Sequence, residues 1–197
     1  MKNLLLIGFI LLFTISCRKD KQAEKIYLDH IMAGESSGVG LKHSGILNDT
    51  LFFEYPNSNE RLFVDMNDDG VDDFELWFFG SQSQGHKNTN YLIVPIGDNY
   101  LSTTELENDF IDTLSKDDVI DDQLNWVSDT CVLYRNYWDY QGNTSNAGLW
   151  NYTKNKYVGT KIIVDGHALY GWIKLEVTGS SKLTLFEHAC TFGFENI

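Results

Sequence analysis

Apolar residues along this chain follow two patterns. Leu4 to Ile15 form one unbroken apolar run, whereas from Ile46 onward apolar and aromatic residues come in short bursts separated by Gly, Asn, Asp and Ser. Bursts rich in β-branched and aromatic residues read as strands, here over residues 50–55, 61–64, 74–79, 91–94, 131–137, 157–164, 168–177 and 182–188. Asp165-Gly166 lies between two of them and predicts a hairpin turn, since both residues tolerate positive φ. Gly179-Ser180-Ser181 predicts a second hairpin tip. The acidic stretch 103–122 reads as a long connection with room for one short helix. Strands this short, with little helical periodicity between them, predict an all-β fold with few or no helices. An antiparallel β-sandwich, jelly-roll-like, is the leading form, with a barrel as the variant. Alternation places Tyr170 and Trp172 on one strand face, and Trp77, Trp150 and Trp172 are expected in the core.

The apolar run at the start has signal-peptide length and is too short to span a bilayer core of ~30 Å. It ends at Ser16-Cys17, followed by the polar Arg18-Lys19-Asp20-Lys21-Gln22. This arrangement resembles a bacterial lipoprotein signal, which implies cleavage after residue 16 and acylation of Cys17; the alternative is an ordinary secretory peptide cut near Ser16. Residues 17–25 read as a polar tether and 26–197 as a single domain. The expected location is the bacterial cell envelope, lipid-anchored to the outer membrane on its periplasmic or its surface side.

Charge narrows the partners. With 15 basic against 28 acidic residues the chain carries −13, and loss of Lys2 with the signal leaves 14 basic residues and −14. Nucleic acid is disfavoured, because phosphate binding needs clustered Lys and Arg. Anionic membrane surfaces are disfavoured for the same reason, so membrane association rests on the lipid. Cys131 and Cys190 fall in strand-like runs in a compartment that permits disulfides. The spacing leaves open whether they bridge or remain two buried thiols.

The clearest chemical motif is Asp65-Met66-Asn67-Asp68-Asp69-Gly70-Val71-Asp72-Asp73. Oxygen side chains at its first, third, fifth and ninth positions, with glycine at the sixth, follow the ligand order of a loop curled around one hard cation. Asp65, Asn67, Asp69, Asp73 and the Val71 carbonyl are the expected ligands of a structural Ca²⁺. Leu76 stands where an EF-hand has its bidentate glutamate, and strand-like flanks replace the helices. The loop resembles calcium loops between strands of extracellular bacterial β proteins; an acidic surface turn is the alternative.

No catalytic set is recognisable: the five histidines are scattered, and no zinc spacing occurs. Tyr134, Tyr137, Trp138 and Tyr140, beside Asn136, Asp139, Gln141 and Asn143, have the ring-and-amide chemistry of a sugar site. Core packing is the competing role for these rings. Gly148-Leu149-Trp150, Lys156-Tyr157-Val158-Gly159, Tyr170-Gly171-Trp172-Ile173-Lys174-Leu175 and the strand 183–189 together resemble a group of uncharacterised exported bacterial β-sandwich lipoproteins. That resemblance implies an exported sandwich and no particular activity. The function expected is a lipid-anchored, calcium-stabilised, non-enzymatic binding or scaffold module. A glycan-binding module using the aromatics of 134–152 and a hydrolase with an unrecognised carboxylate pair are the alternatives.

Overall fold

The computed structural model describes residues 25–52, 54, 57–104 and 109–195. The expected signal, Cys17 and residues 18–24 of the expected tether lie outside the described residues. Strands in the first half are β1 (Lys25–Ile26), β2 (His30–Met32), β3 (Leu41–His43), β4 (Asp49–Phe52), β5 (Asn57–Val64), β6 (Phe74–Ser83), β7 (His86–Pro95) and β8 (Tyr100–Thr103). The second half adds β9 (Val119–Asp121), β10 (Asn125–Val127), β11 (Cys131–Trp138), β12 (Thr144–Ala147), β13 (Thr153–Val164), β14 (His167–Thr178), β15 (Lys182–Thr191) and β16 (Phe194–Glu195).

The protein is an all-β antiparallel sandwich, as its strand spacing predicts. One sheet has five strands in the order β12-β11-β7-β6-β5; the other has seven, β10-β8-β13-β14-β15-β3, with β4 also pairing β15. The chain moves between sheets in blocks, so β5, β6 and β7 form one meander and β13, β14 and β15 another. In the second meander Val164 faces His167 across Asp165-Gly166, whose φ values of 51° and 79° are those the two-residue hairpin requires. Thr178 and Lys182 flank the second predicted tip.

Two cores flank the seven-stranded sheet. Between the sheets, Phe74, Phe78, Tyr91, Trp150 and Ile173 are fully buried, each apolar side chain of this kind contributing about 1.5–3 kcal/mol. On the opposite face Tyr157, Tyr170 and Trp172 pack under Ile31 and Ile120 of the short β2-β9 ribbon. Tyr170 and Trp172 thus share a face, and that face is covered. A β-bulge at Leu133 lets Cys131, Leu133 and Tyr134 all point into the main core, after which Asn136 continues the inward series.

Two expectations need correction, and two open points are decided. Trp77 is half-buried on the outer face of the five-stranded sheet, not in the core, because its strand buries Phe74, Leu76 and Phe78 on the alternate positions. Lys25 belongs to β1, where it pairs Glu195, and not to the tether. The connection at 103–122 contains β9 and short bridges from Ile111 to Thr103 and from Leu114 to Tyr157, with no helix among its described residues. Cys131 and Cys190 are not bridged: they lie in opposite sheets, Cys131 Sγ donating to the Asp129 carbonyl (3.3 Å) and Cys190 Sγ to the Met66 carbonyl (3.0 Å). Burial pushes both thiols up to about 12, so neither is a reactive thiolate.

Candidate functional site

Two features stand out on this frame, an acidic hairpin loop at one end and an aromatic sheet face. The loop joins β5 to β6, closed by the Val64–Phe74 pair. Its polar side chains are turned onto its own backbone. Asp65 accepts the N–H groups of Asp69 (3.2 Å) and Gly70 (2.8 Å), Asn67 Oδ1 accepts Asp69 N–H (3.0 Å), and Asp69 Oδ1 accepts Val71 N–H (2.8 Å). Gly70, at φ 86°, permits the reversal.

Asp73 anchors the loop from below. It accepts Met66 N–H (2.8 Å) and an Asn99 Nδ2 hydrogen (3.1 Å), while Asn99 Oδ1 accepts Ile163 N–H in the opposite sheet (3.3 Å). Asp73 is nearly inaccessible, and burial raises its proton affinity; the Asp65 and Asp69 charges add to that rise, while its two hydrogen bonds oppose it. Lys42 approaches the rim, its Nζ reaching Asp68 Oδ2 (2.8 Å) and donating to the Asn67 carbonyl (2.9 Å).

Among the described residues, no group of three or more His, Cys, Asp or Glu side chains is arranged to hold a metal ion. The donor chemistry of the loop nonetheless fits calcium. Every candidate ligand is oxygen, and a carboxylate oxygen that accepts one N–H keeps a second lone pair for a cation. Beside the loop lies a cavity of about 240 Å³, lined in part by Lys42, Ser44, Asp65, Asp68 and His188. His188 is buried there with no hydrogen-bond partner at Nδ1, and burial, with the neighbouring His43, pushes its pKa down to about 4. Glu187, which precedes His188 in β15, is held between Lys174 Nζ (2.8 Å) and His43 Nε2 (3.0 Å).

The second feature follows from register. Opposed residues in antiparallel strands share a face, so the outer face of the five-stranded sheet reads as rows. One row is Arg61, Trp77, Leu92 and Val132; the next is Asn59, Phe79, Asn90, Arg135 and Ala147; a third is Asn57, Ser81, Asn88, Tyr137 and Ser145. Arg61 lies over Trp77, with its guanidinium carbon 4.6 Å from the ring centre, and Nη1 meets Glu75 at 2.9 Å. Trp77 donates its indole N–H to Asn59 Oδ1 (2.7 Å) and packs against Phe79 with ring centres 5.2 Å apart. Arg135 donates Nε–H to Asn90 Oδ1 (2.9 Å). Tyr137 pairs its hydroxyl with His86 Nδ1 (2.9 Å), and Tyr140 sets its ring against the edge of the same imidazole (5.5 Å).

The expected aromatic set is therefore split. Tyr134 is a core residue, its hydroxyl donating to Asn146 Oδ1 (2.9 Å). Trp138 is exposed on the opposite side of its strand from Tyr137, and Tyr140 sits at the hairpin tip. There Asp139 accepts N–H groups from Gln141 and Asn143. Of the four, Tyr137 joins the outer face proper, with Tyr140 at its end. Arg61, Trp77, Phe79 and Arg135 were missed. Their strands carry large apolar residues at both parities, so alternation could not say which side faces out.

Comparison of the chain with known protein families, curated proteins and solved structures finds no match.

Proposed function

We propose that this protein is a non-enzymatic binding module of the bacterial envelope, anchored through a lipid on Cys17 and steadied by calcium in the 65–73 loop. Its ligand surface is the outer face of the five-stranded sheet. The observation that carries this reading is the contrast between the two outer faces of the sandwich. On the seven-stranded sheet, Tyr157, Tyr170 and Trp172 are sealed under β2 and β9. On the five-stranded sheet, Trp77, Phe79 and Tyr137 retain solvent access among Asn59, Asn88 and two arginines. Side-chain rings among amides and guanidinium groups offer what a sugar needs, an apolar face with polar groups at its rim. That chemistry favours a glycan over a protein partner, which would find few large exposed aliphatic residues on this face.

In the loop, Asp65, Asn67, Asp69, the Val71 carbonyl and Asp73 hold the ion and thereby fix the β5-β6 hairpin, which bears Arg61, Trp77 and Phe79. A glycan-array screen of the full-length protein, repeated with Trp77→Ala and Tyr137→Ala, tests the reading. Signals that both substitutions weaken support it; signals indifferent to both refute it.

A further inference from the structure

The chain contains three arginines, Arg18, Arg61 and Arg135, and the two within the described residues project from the same sheet face. The three rows of that face and the adjoining row of Phe63, Glu75 and Val94 carry one carboxylate, Glu75, so the face holds two guanidinium groups against a single acid. The chain as a whole carries −13. One guanidinium more than the carboxylates makes this face locally complementary to an anion, on a protein whose charge elsewhere is acidic.

The two arginines are also prepared for recognition. Arg61 is braced by Glu75 and stacked on Trp77, which fixes the plane of its fork. Arg135 is exposed and spends Nε on Asn90, leaving most of its five N–H donors for a ligand. Three strand spacings and two residues of offset separate them, roughly 16 Å between Cα atoms. Trp77, Phe79 and Asn90 fill that interval. An extended ligand spanning it meets a guanidinium at each end and ring surface between.

We infer that the ligand of this face is an acidic glycan, a chain of sugar rings bearing carboxylate or sulfate groups that Arg61 and Arg135 grip while the rings rest on Trp77 and Phe79. This inference rests on the binding-face reading above. Arginine suits planar oxyanions because its fork presents paired, parallel N–H groups. Amides such as Asn59 and Asn88 serve the uncharged hydroxyls.

The test is calorimetric titration of the full-length protein with a glucuronate-containing hexasaccharide, and with the same compound after its carboxyls are reduced to alcohols. A sulfated neutral hexasaccharide separates sulfate from carboxylate as the source of charge. The acidic compounds should bind about tenfold more tightly than the reduced one, and added salt should erode that advantage. Arg135→Gln should remove most of the discrimination, and Arg135→Lys should restore part of it. Arg135 is surface-exposed, so its variants keep the test valid if Arg61→Gln, which strands Glu75, fails to fold. Equal affinity for acidic and reduced compounds, both lost in Trp77→Ala, would overturn the charge inference while leaving the binding face intact. Binding of none of them, or binding unaffected by Trp77→Ala, would overturn both.

Discussion

Arg61 and Trp77 face each other across β5 and β6, the guanidinium carbon 4.6 Å from the indole centre. Neighbours hold both in place, Asn59 accepting the indole N–H and Glu75 forming an ion pair with Arg61 Nη1. Such a stack at a half-exposed site stabilises by about 0.5–1 kcal/mol, too little to explain four polar and aromatic groups locked together on a surface. Trp77→Ala should therefore lower stability by only about 1–2 kcal/mol in a urea titration, since a half-buried ring forfeits part of the usual burial term. A loss as large as that of a core Trp would place Trp77 among the structural residues.

Calcium should raise the melting temperature. Without a bidentate glutamate the affinity expected is about 10⁻⁴–10⁻³ M, as in extracellular modules. Calcium at about 1 mM then adds roughly 0.4–1.4 kcal/mol by mass action. Melting the protein in calcium and in chelator, alone and as Asp65→Asn, checks this. Equal melting temperatures with no heat of binding would reduce the loop to an acidic turn.

Gly171 couples that loop to the sheet. A Cβ there would lie 2.6 Å from the Ala189 carbonyl oxygen, 2.7 Å from Thr160 Oγ1 and 2.9 Å from Cε of Met66, a loop residue that is 1% exposed. Gly171→Ala should cost about 1–3 kcal/mol through overpacking and should also weaken calcium binding by displacing Met66. Denaturant titration and calorimetry read the two effects separately. An unchanged calcium affinity would show that the loop is independent of β14.

Acid sensitivity should come from His188. Its folded pKa of about 4 lies below the ordinary 6.5, so the native state binds fewer protons than the unfolded chain between those values. The contribution is complete above pH 6.5 and is lost as pH falls toward 4, amounting to on the order of 3 kcal/mol. Measured in chelator, stability of the wild type should fall across that window, and His188→Phe should flatten the fall. A parallel decline in both proteins would assign the acid sensitivity elsewhere.

Cys17→Ser should release the mature protein from the membrane fraction, because the tether carries charge and no other apolar anchor. Retention of the variant in that fraction, processed at the same bond, would contradict lipid anchoring.

The strands and their turns were legible because side-chain alternation and turn residues are local properties. Asp165-Gly166 needs no knowledge of the rest of the chain. Short strands such as β2, β9 and β12 escaped, since His30-Ile31-Met32 or Thr144-Ser145-Asn146 carries no burst of apolar residues and pairs only because tertiary contacts bring a partner. The outer face was illegible for a related reason. Residues 74–79 read Phe-Glu-Leu-Trp-Phe-Phe, apolar on both parities, so nothing local distinguishes the buried Phe78 from the accessible Trp77. Alternation puts Tyr134 and Tyr137 on opposite faces of β11 without saying which face is buried, and the bulge at Leu133 keeps Cys131 and Leu133 from indicating it.

Hydroxyl-radical footprinting of the full-length protein, with and without saturating glucuronate-containing hexasaccharide, tests the binding face most directly. Trp77, Phe79 and Tyr137 should lose reactivity when the ligand is present, while Phe52 and Tyr152, exposed away from that face, keep theirs. Protection centred on Tyr152 and Trp138, or no protection of Trp77, would contradict the account.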